Sequence, residues 1–164
     1  MIRLSHFNRM WEQEFEQTRS LLLGATEGWI GAVEHIGSTA VPDMVARPTV
    51  DALAGMSDLS GLNEAALLIE GLNFCRRPAP LWCEDELVAY LEKPRAGEAT
   101  HSVLLVAREG KCWQTALDAR EKLRTAPQLR DELETIKKAN FVAGCQAQTQ
   151  YDASKSAFFD SLCE

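Results

Sequence analysis

Two short apolar runs, Trp29–Ile36 and Thr49–Ala54, flank a stretch punctuated by Gly37, Pro42 and Pro48. Neither run reaches the roughly ten residues that a core helix needs, and both read as strands. Proline breaks helical and ladder hydrogen bonds alike, so the residues between them form a compact loop. The chain must therefore build a sheet around this strand–loop–strand unit and cover it with helices from elsewhere. Phe7, Met10, Trp11, Phe15 and Leu22 space as one face of a helix that Gly24 ends. Leu62, Ala65, Ala66, Ile69 and Leu72 mark a second helix within Leu59–Leu72. Arg76–Pro80 reads as a loop, and Leu87–Leu91 with Ser102–Ala107 reads as a hairpin whose long turn holds Pro94 and Gly97. Beyond Gly110 helix formers dominate, and Pro127 and Gly144 divide them into helices near 112–124, 127–142 and 147–162.

The expected class is α+β: a small mixed sheet with flanking helices and a helical C-terminal part. The length of 164 residues is that of one domain, sheet-bearing over about 1–108 and helical over about 109–164. Seventeen Lys and Arg against 24 Asp and Glu give a charge of −7. Duplex nucleic acid is a poor partner for such a chain, because neutralising phosphates takes clustered cations. No apolar run approaches the roughly 20 residues of a membrane span, and the N-terminus lacks the apolar core of a secretory leader. The five cysteines form no C-x-x-C pair and read as reduced thiols, so a cytoplasmic protein is expected. The four tryptophans and the Arg76–Arg77 pair do not interleave as a stacking platform for single strands would.

The chemistry concentrates in Glu34–Leu53. A strand runs into Gly37, Ser38 and Thr39, and the loop returns through Arg47 to a strand carrying Asp51. Glycine lets a ligand approach the backbone, the following N–H groups and two hydroxyls can point at one anion, and Arg47 adds charge. Asp51 among apolar neighbours is costly to bury unless it is paired or binds a cation. These parts suit a nucleoside triphosphate with Mg²⁺, or another phosphorylated small molecule. A Gly-Ser-Thr turn and one strand Asp also arise as plain structure, and the residues alone leave both readings open. His35 either orients the turn or contacts a phosphate. His101 either supports the site, bonding a ligand or Asp51, or is an ordinary strand residue. Lys155 shares a helical face with Tyr151, Phe158 and Leu162, where it snorkels from packed surface or reaches a phosphate. Arg120 and Arg124, four apart, could likewise bind an anion, although arginines on a helix surface ordinarily face solvent.

HIGSTAVP at residues 35–42 followed by ARPTVD at 46–51 resembles the signature of the GrpB family. The resemblance extends through Trp11 and Phe15, Thr100 and His101, the Arg120–Leu123–Arg124 helix, and Pro127, Lys137, Tyr151, Lys155 and Phe158. It implies a nucleotidyltransferase fold like that of the DNA polymerase β superfamily, in which a Gly-Ser turn grips triphosphate and strand carboxylates hold divalent metal. Superfamily enzymes place two acids at i and i+2 of one strand, on one face. Here Leu53 follows Asp51 at that spacing, so Glu34 or Glu92 would have to supply the second carboxylate. Asp43 stands where the family has Gly, Arg47 where it has Lys, Leu104 for a strand His and Leu133 for a helical Tyr. Two functions follow as expectations. One is transfer of a nucleotidyl group to an acceptor, with Asp51 catalytic and metal-binding. The other is a non-catalytic nucleotide- or protein-binding module.

Overall fold

The computed structural model describes residues 5–142 except 45 and 84. The helix predicted from Lys155 and its neighbours lies outside the described residues. In order, the elements are α1 (Met10–Ala25), β1 (Ile30–Ile36), β2 (Val50–Met56), α2 (Leu62–Glu70), β3 (Cys75–Arg77), β4 (Ala89–Lys93), β5 (His101–Ala107), α3 (Lys111–Thr125) and α4 (Pro127–Val142). The five strands form one mixed sheet in the order β1-β2-β5-β4-β3, with β2 and β5 parallel and the other pairs antiparallel.

Alternation along the strands gives the sheet two different faces. Val50, Ala52, Ala54, Leu91, Val103 and Leu105 join Trp11, Phe15, Leu22, Ala65 and Ile69, so α1 and α2 cover one face. Leu53, Leu104 and Val106 pack with Cys112, Trp113 and Ala116, so α3 covers the other. Leu104 and Leu133, both departures from the family pattern, are buried core residues. The N-terminus of α3 is fixed by the Glu86 carboxylate, which accepts from the Lys111 N–H at 2.9 Å and the Cys112 N–H at 3.4 Å. Trp113 lies against Gly55, where a Cβ would come within 2.9 Å of its ring. Eleven residues further along α3, at about 1.5 Å per residue, Arg124 reaches Ala40 at the opposite end of the strands.

Two expectations about elements need correction. Arg76 and Arg77 belong to an edge strand rather than a loop, held by pairing Cys75↔Glu92 and Arg77↔Tyr90. The first hairpin strand starts two residues later than predicted, at Ala89, and Leu87 is exposed. None of the helices among the described residues is long and apolar enough to cross a membrane.

Candidate functional site

Gly37 ends β1 with φ 75° and ψ −175°, a backbone conformation essentially reserved for glycine. Ser38–Ala40 then make one 3₁₀ turn, with Ala40 N–H donating to Gly37 O and Val41 N–H to Ser38 O. A Cβ on Gly37 would fall 2.3 Å from Asp51 Oδ2. The open space at this glycine is thus filled by the carboxylate that the sequence separates from it by fourteen positions.

Asp51 pairs in register with Ile36 on one side and Ser102 on the other, and Ser102 pairs with Glu92. These side chains share the α3 face of the sheet. The Ser102 hydroxyl donates to Asp51 Oδ1 at 2.5 Å. Tyr90, two residues before Glu92, lies on the same face. Burial first, then the negative charges of Asp51 and Glu92, push the Tyr90 phenol well above its ordinary range; Arg47 acts on it in the opposite direction. Tyr90 therefore stays protonated, and Arg47 lies within electrostatic range of the Asp51 face. Ser102 and Tyr90 were absent from the sequence reading. A hydroxyl within the apolar run of β5 was the one available signal, and its meaning depends on register.

The turn's own hydroxyl-bearing residues are buried. Ser38 and Thr39 are 4% and 3% exposed. Thr39 Oγ1 lies 2.9 Å from His35 Nε2 and donates to Thr49 O at 3.1 Å, so His35 must be the donor to Thr39. The Thr39 hydroxyl, expected to meet an anion, instead ties the turn to the start of β2. His35 is the residue that orients the turn: it is buried, stacked on Phe15 with centroids 4.7 Å apart, and neutral because burial lowers its pKa to about 4. Asp51 partly offsets that shift, and Arg124 and Arg120 reinforce it. His101 sits on the opposite face from Ser102 and bonds Thr100 Oγ1 at 2.8 Å. Asp51's strand partner is thus Ser102, one residue beyond it.

Glu34 shares the Asp51 face, but its Oε2 is 2.9 Å from Arg120 Nη1. It is the counter-ion of α3 here, which leaves Glu92, in the Asp51–Ser102 row, as the same-face carboxylate. Arg120 Nη1 also donates to His35 O at 3.0 Å, and Arg124 Nε donates to Ala40 O at 3.0 Å. The two arginines hold the backbone on either side of the turn, Arg120 mostly buried and Arg124 partly exposed. Asp43 adopts φ 61°. That explains a position where glycine is at home and Asp is among the better-tolerated alternatives. Neither buried thiol nor histidine cluster competes as a site. Cys112 is pushed up to about 12, mainly by burial, and no group of three or more His, Cys, Asp or Glu among the described residues could hold a metal.

A family model described as GrpB protein matches residues 1–164. The chain belongs to the GrpB family. It is 23% identical over 155 residues to the glutamate-rich protein GrpB of Alkalihalophilus pseudofirmus, covering 93% of this chain and 88% of that one. The crystal structure of GrpB from Enterococcus faecalis superposes with TM-score 0.83 at 23% identity, covering 98% of this chain and 94% of that chain. The Cid1 poly(U) polymerase structure superposes with TM-score 0.50 at 9% identity, over 80% of this chain and 40% of that one. The GrpB fold is thus nucleotidyltransferase-like, and the Gly37 turn with Asp51 is where this chain's polar groups converge on it.

Proposed function

We propose that this GrpB protein binds a nucleoside triphosphate together with Mg²⁺ at Asp51 and the Gly37 turn, and that it transfers the nucleotidyl group to an acceptor. The observation that carries the reading is the contact of Asp51 Oδ2 with Gly37 on a nucleotidyltransferase-like fold. It gathers the carboxylate, the turn backbone and Arg47 at one end of the sheet. The donor set fits Mg²⁺ that arrives with phosphate oxygens, because that ion is usually held by one or two carboxylates, waters and substrate phosphates. It does not fit a cation held by protein alone. Asp51 would be the first ligand and Glu92 the second. The bound ion would neutralise charge on the phosphates. In the transfer an acceptor hydroxyl oxygen bonds the α-phosphorus and gives its proton to water, the bond to the pyrophosphate oxygen breaks, and pyrophosphate leaves. The turn and Arg47 hold the phosphates in line, and the Ser102 bond keeps Asp51 from rotating away.

Leu53 favours the second reading, a binding module without catalysis. The position that would carry a second acid is fully buried among Leu104, Val106 and Trp113. Calorimetric titration with the four nucleoside triphosphates, with and without Mg²⁺, tests binding. We expect Mg²⁺-dependent binding that Asp51→Ala weakens tenfold or more. If no triphosphate binds, the reading fails, and equal binding by Asp51→Ala removes the metal assignment. Binding without pyrophosphate release across a panel of acceptors would favour the module.

A further inference from the structure

The two arginines of α3 meet the turn in different ways. Arg120 is 13% exposed, with Nη1 donating to Glu34 and His35 O and Nε to Glu121 Oε1 at 3.1 Å. Arg124, one helical turn nearer the Gly37–Ala40 end, is 36% exposed. Its Nε is anchored on Ala40 O, while its Nη1 is 3.3 Å from Glu121 Oε1, itself 55% exposed. An exposed i,i+3 ion pair of this kind is weak and readily exchanged. The Thr39 hydroxyl is committed to Thr49 O and Ser38 is buried, so the charge available to an arriving polyphosphate beside the turn comes from cations. Arg47 stands on the Tyr90 side, and Arg124 on the α3 side. A guanidinium held at Nε and open at its outer edge presents the fork that pairs with phosphate oxygens.

We propose that Arg124 contacts a phosphate of the ligand, exchanging Glu121 for a phosphate oxygen while Ala40 O keeps its Nε in place, and that Arg120 only positions the turn. The proposal rests on the nucleotide reading of the same site and names a binding residue for it outside the Gly37–Asp51 stretch. Inorganic tripolyphosphate, a nucleoside triphosphate and the matching nucleoside, each titrated in Mg²⁺ against wild type, Arg124→Met, Arg124→Lys and Arg120→Met, separate the roles. Arg124→Met should weaken both triphosphates by roughly ten- to hundredfold, the loss of a charged hydrogen bond, and leave the nucleoside unaffected. Its melting temperature should fall less than that of Arg120→Met, because it gives up one carbonyl bond at Ala40 and an exposed ion pair. Arg124→Lys should fall between the two, and it carries the test if Arg124→Met does not fold. Arg120→Met should lower the melting temperature and speed amide exchange at Ser38–Ala40. Triphosphate binding unchanged in Arg124→Met and Arg124→Lys overturns the proposal and leaves the Asp51 reading standing. Arg124-dependent binding of tripolyphosphate, with no nucleotide preference, upholds the phosphate contact and overturns the nucleotide reading. No binding of either by wild type overturns both.

Discussion

Gly37 and His35 show how single residues set the shape of the site. At Gly37 two demands coincide: a backbone conformation that other residues strain to adopt, and room for the Asp51 carboxylate where a Cβ would sit. Gly37→Ala should therefore destabilise the protein by about 2–3 kcal/mol, from backbone strain and a displaced carboxylate. Asp51→Ala in the same chain removes the clash but not the strain, so the double variant should recover about 1 kcal/mol relative to the sum of the single changes. Urea unfolding of the four proteins measures this coupling; strictly additive effects would mean that the two residues do not press on one another. His35 makes a different kind of prediction. Burial lowers its pKa from the ordinary 6.5 to about 4, so the unfolded chain takes up the proton first as the pH falls. The stability that comes from keeping this imidazole neutral is complete above about pH 6.5 and is lost as the pH falls toward 4, by a total of about 3 kcal/mol. His35→Gln keeps an amide donor for Thr39 and has nothing to titrate there. Its unfolding midpoint should lose the corresponding part of the slope between pH 6.5 and 4, while His101, lowered in the same direction chiefly by burial, contributes equally to both proteins. An identical slope in the variant would refute the assignment.

At the scale of elements, what the sequence discloses is what local pattern can encode. The strand ending at Ile36 is right to within one residue at its start, because its apolar run stops at a glycine that the fold needs. Helix α4 spans Pro127–Val142 as predicted, since proline suits a first helical position and its apolar residues keep a helical period. Strand β3 was illegible: Cys-Arg-Arg carries no apolar alternation, and its strand character comes from pairing with β4. The site divides along the same line. Gly37 and Asp51 were legible because one loop joins them. Ser102 and Tyr90 were not, because register between β2, β5 and β4 is settled by the whole sheet and a one-residue slip would turn each of them to the other face. The backbone that Arg120 and Arg124 hold was not legible, because they sit on a helix more than eighty positions from it. Alternation also decides between neighbours: His101 and Ser102 look equally placed in sequence, and only Ser102 faces Asp51.

In the whole molecule α3 is the element that joins the sheet to the loop. Its first half, through Cys112, Trp113 and Ala116, packs on Leu53, Leu104 and Val106. Its second half, through Ala119 and Leu123, packs with Val41 and Met44 of the β1–β2 loop and with Leu133 of α4. The sheet-bearing and helical parts therefore share one helix, and without α3 the sheet loses the core on one of its faces and α4 its packing partner. The four tryptophans report from opposite faces of the sheet, Trp11 and Trp29 from the side of α1 and α2, Trp82 and Trp113 from the side of α3. Wild type should unfold in one urea transition whether followed by helix signal or by tryptophan emission. Leu123 is 1% exposed, so Leu123→Ala should cost about 2–5 kcal/mol, the transfer and cavity terms of a buried leucine. Because the loss propagates through α3, both signals should shift to lower urea together. The same change removes the apolar floor under Val41 and Met44, so Leu123→Ala should also weaken ligand binding at 25 °C, where most molecules are still folded. If the helix signal moved while the tryptophan emission kept its wild-type midpoint, the helical part would be a separate unit resting on a finished sheet, and its arginines could not be what holds the turn in place.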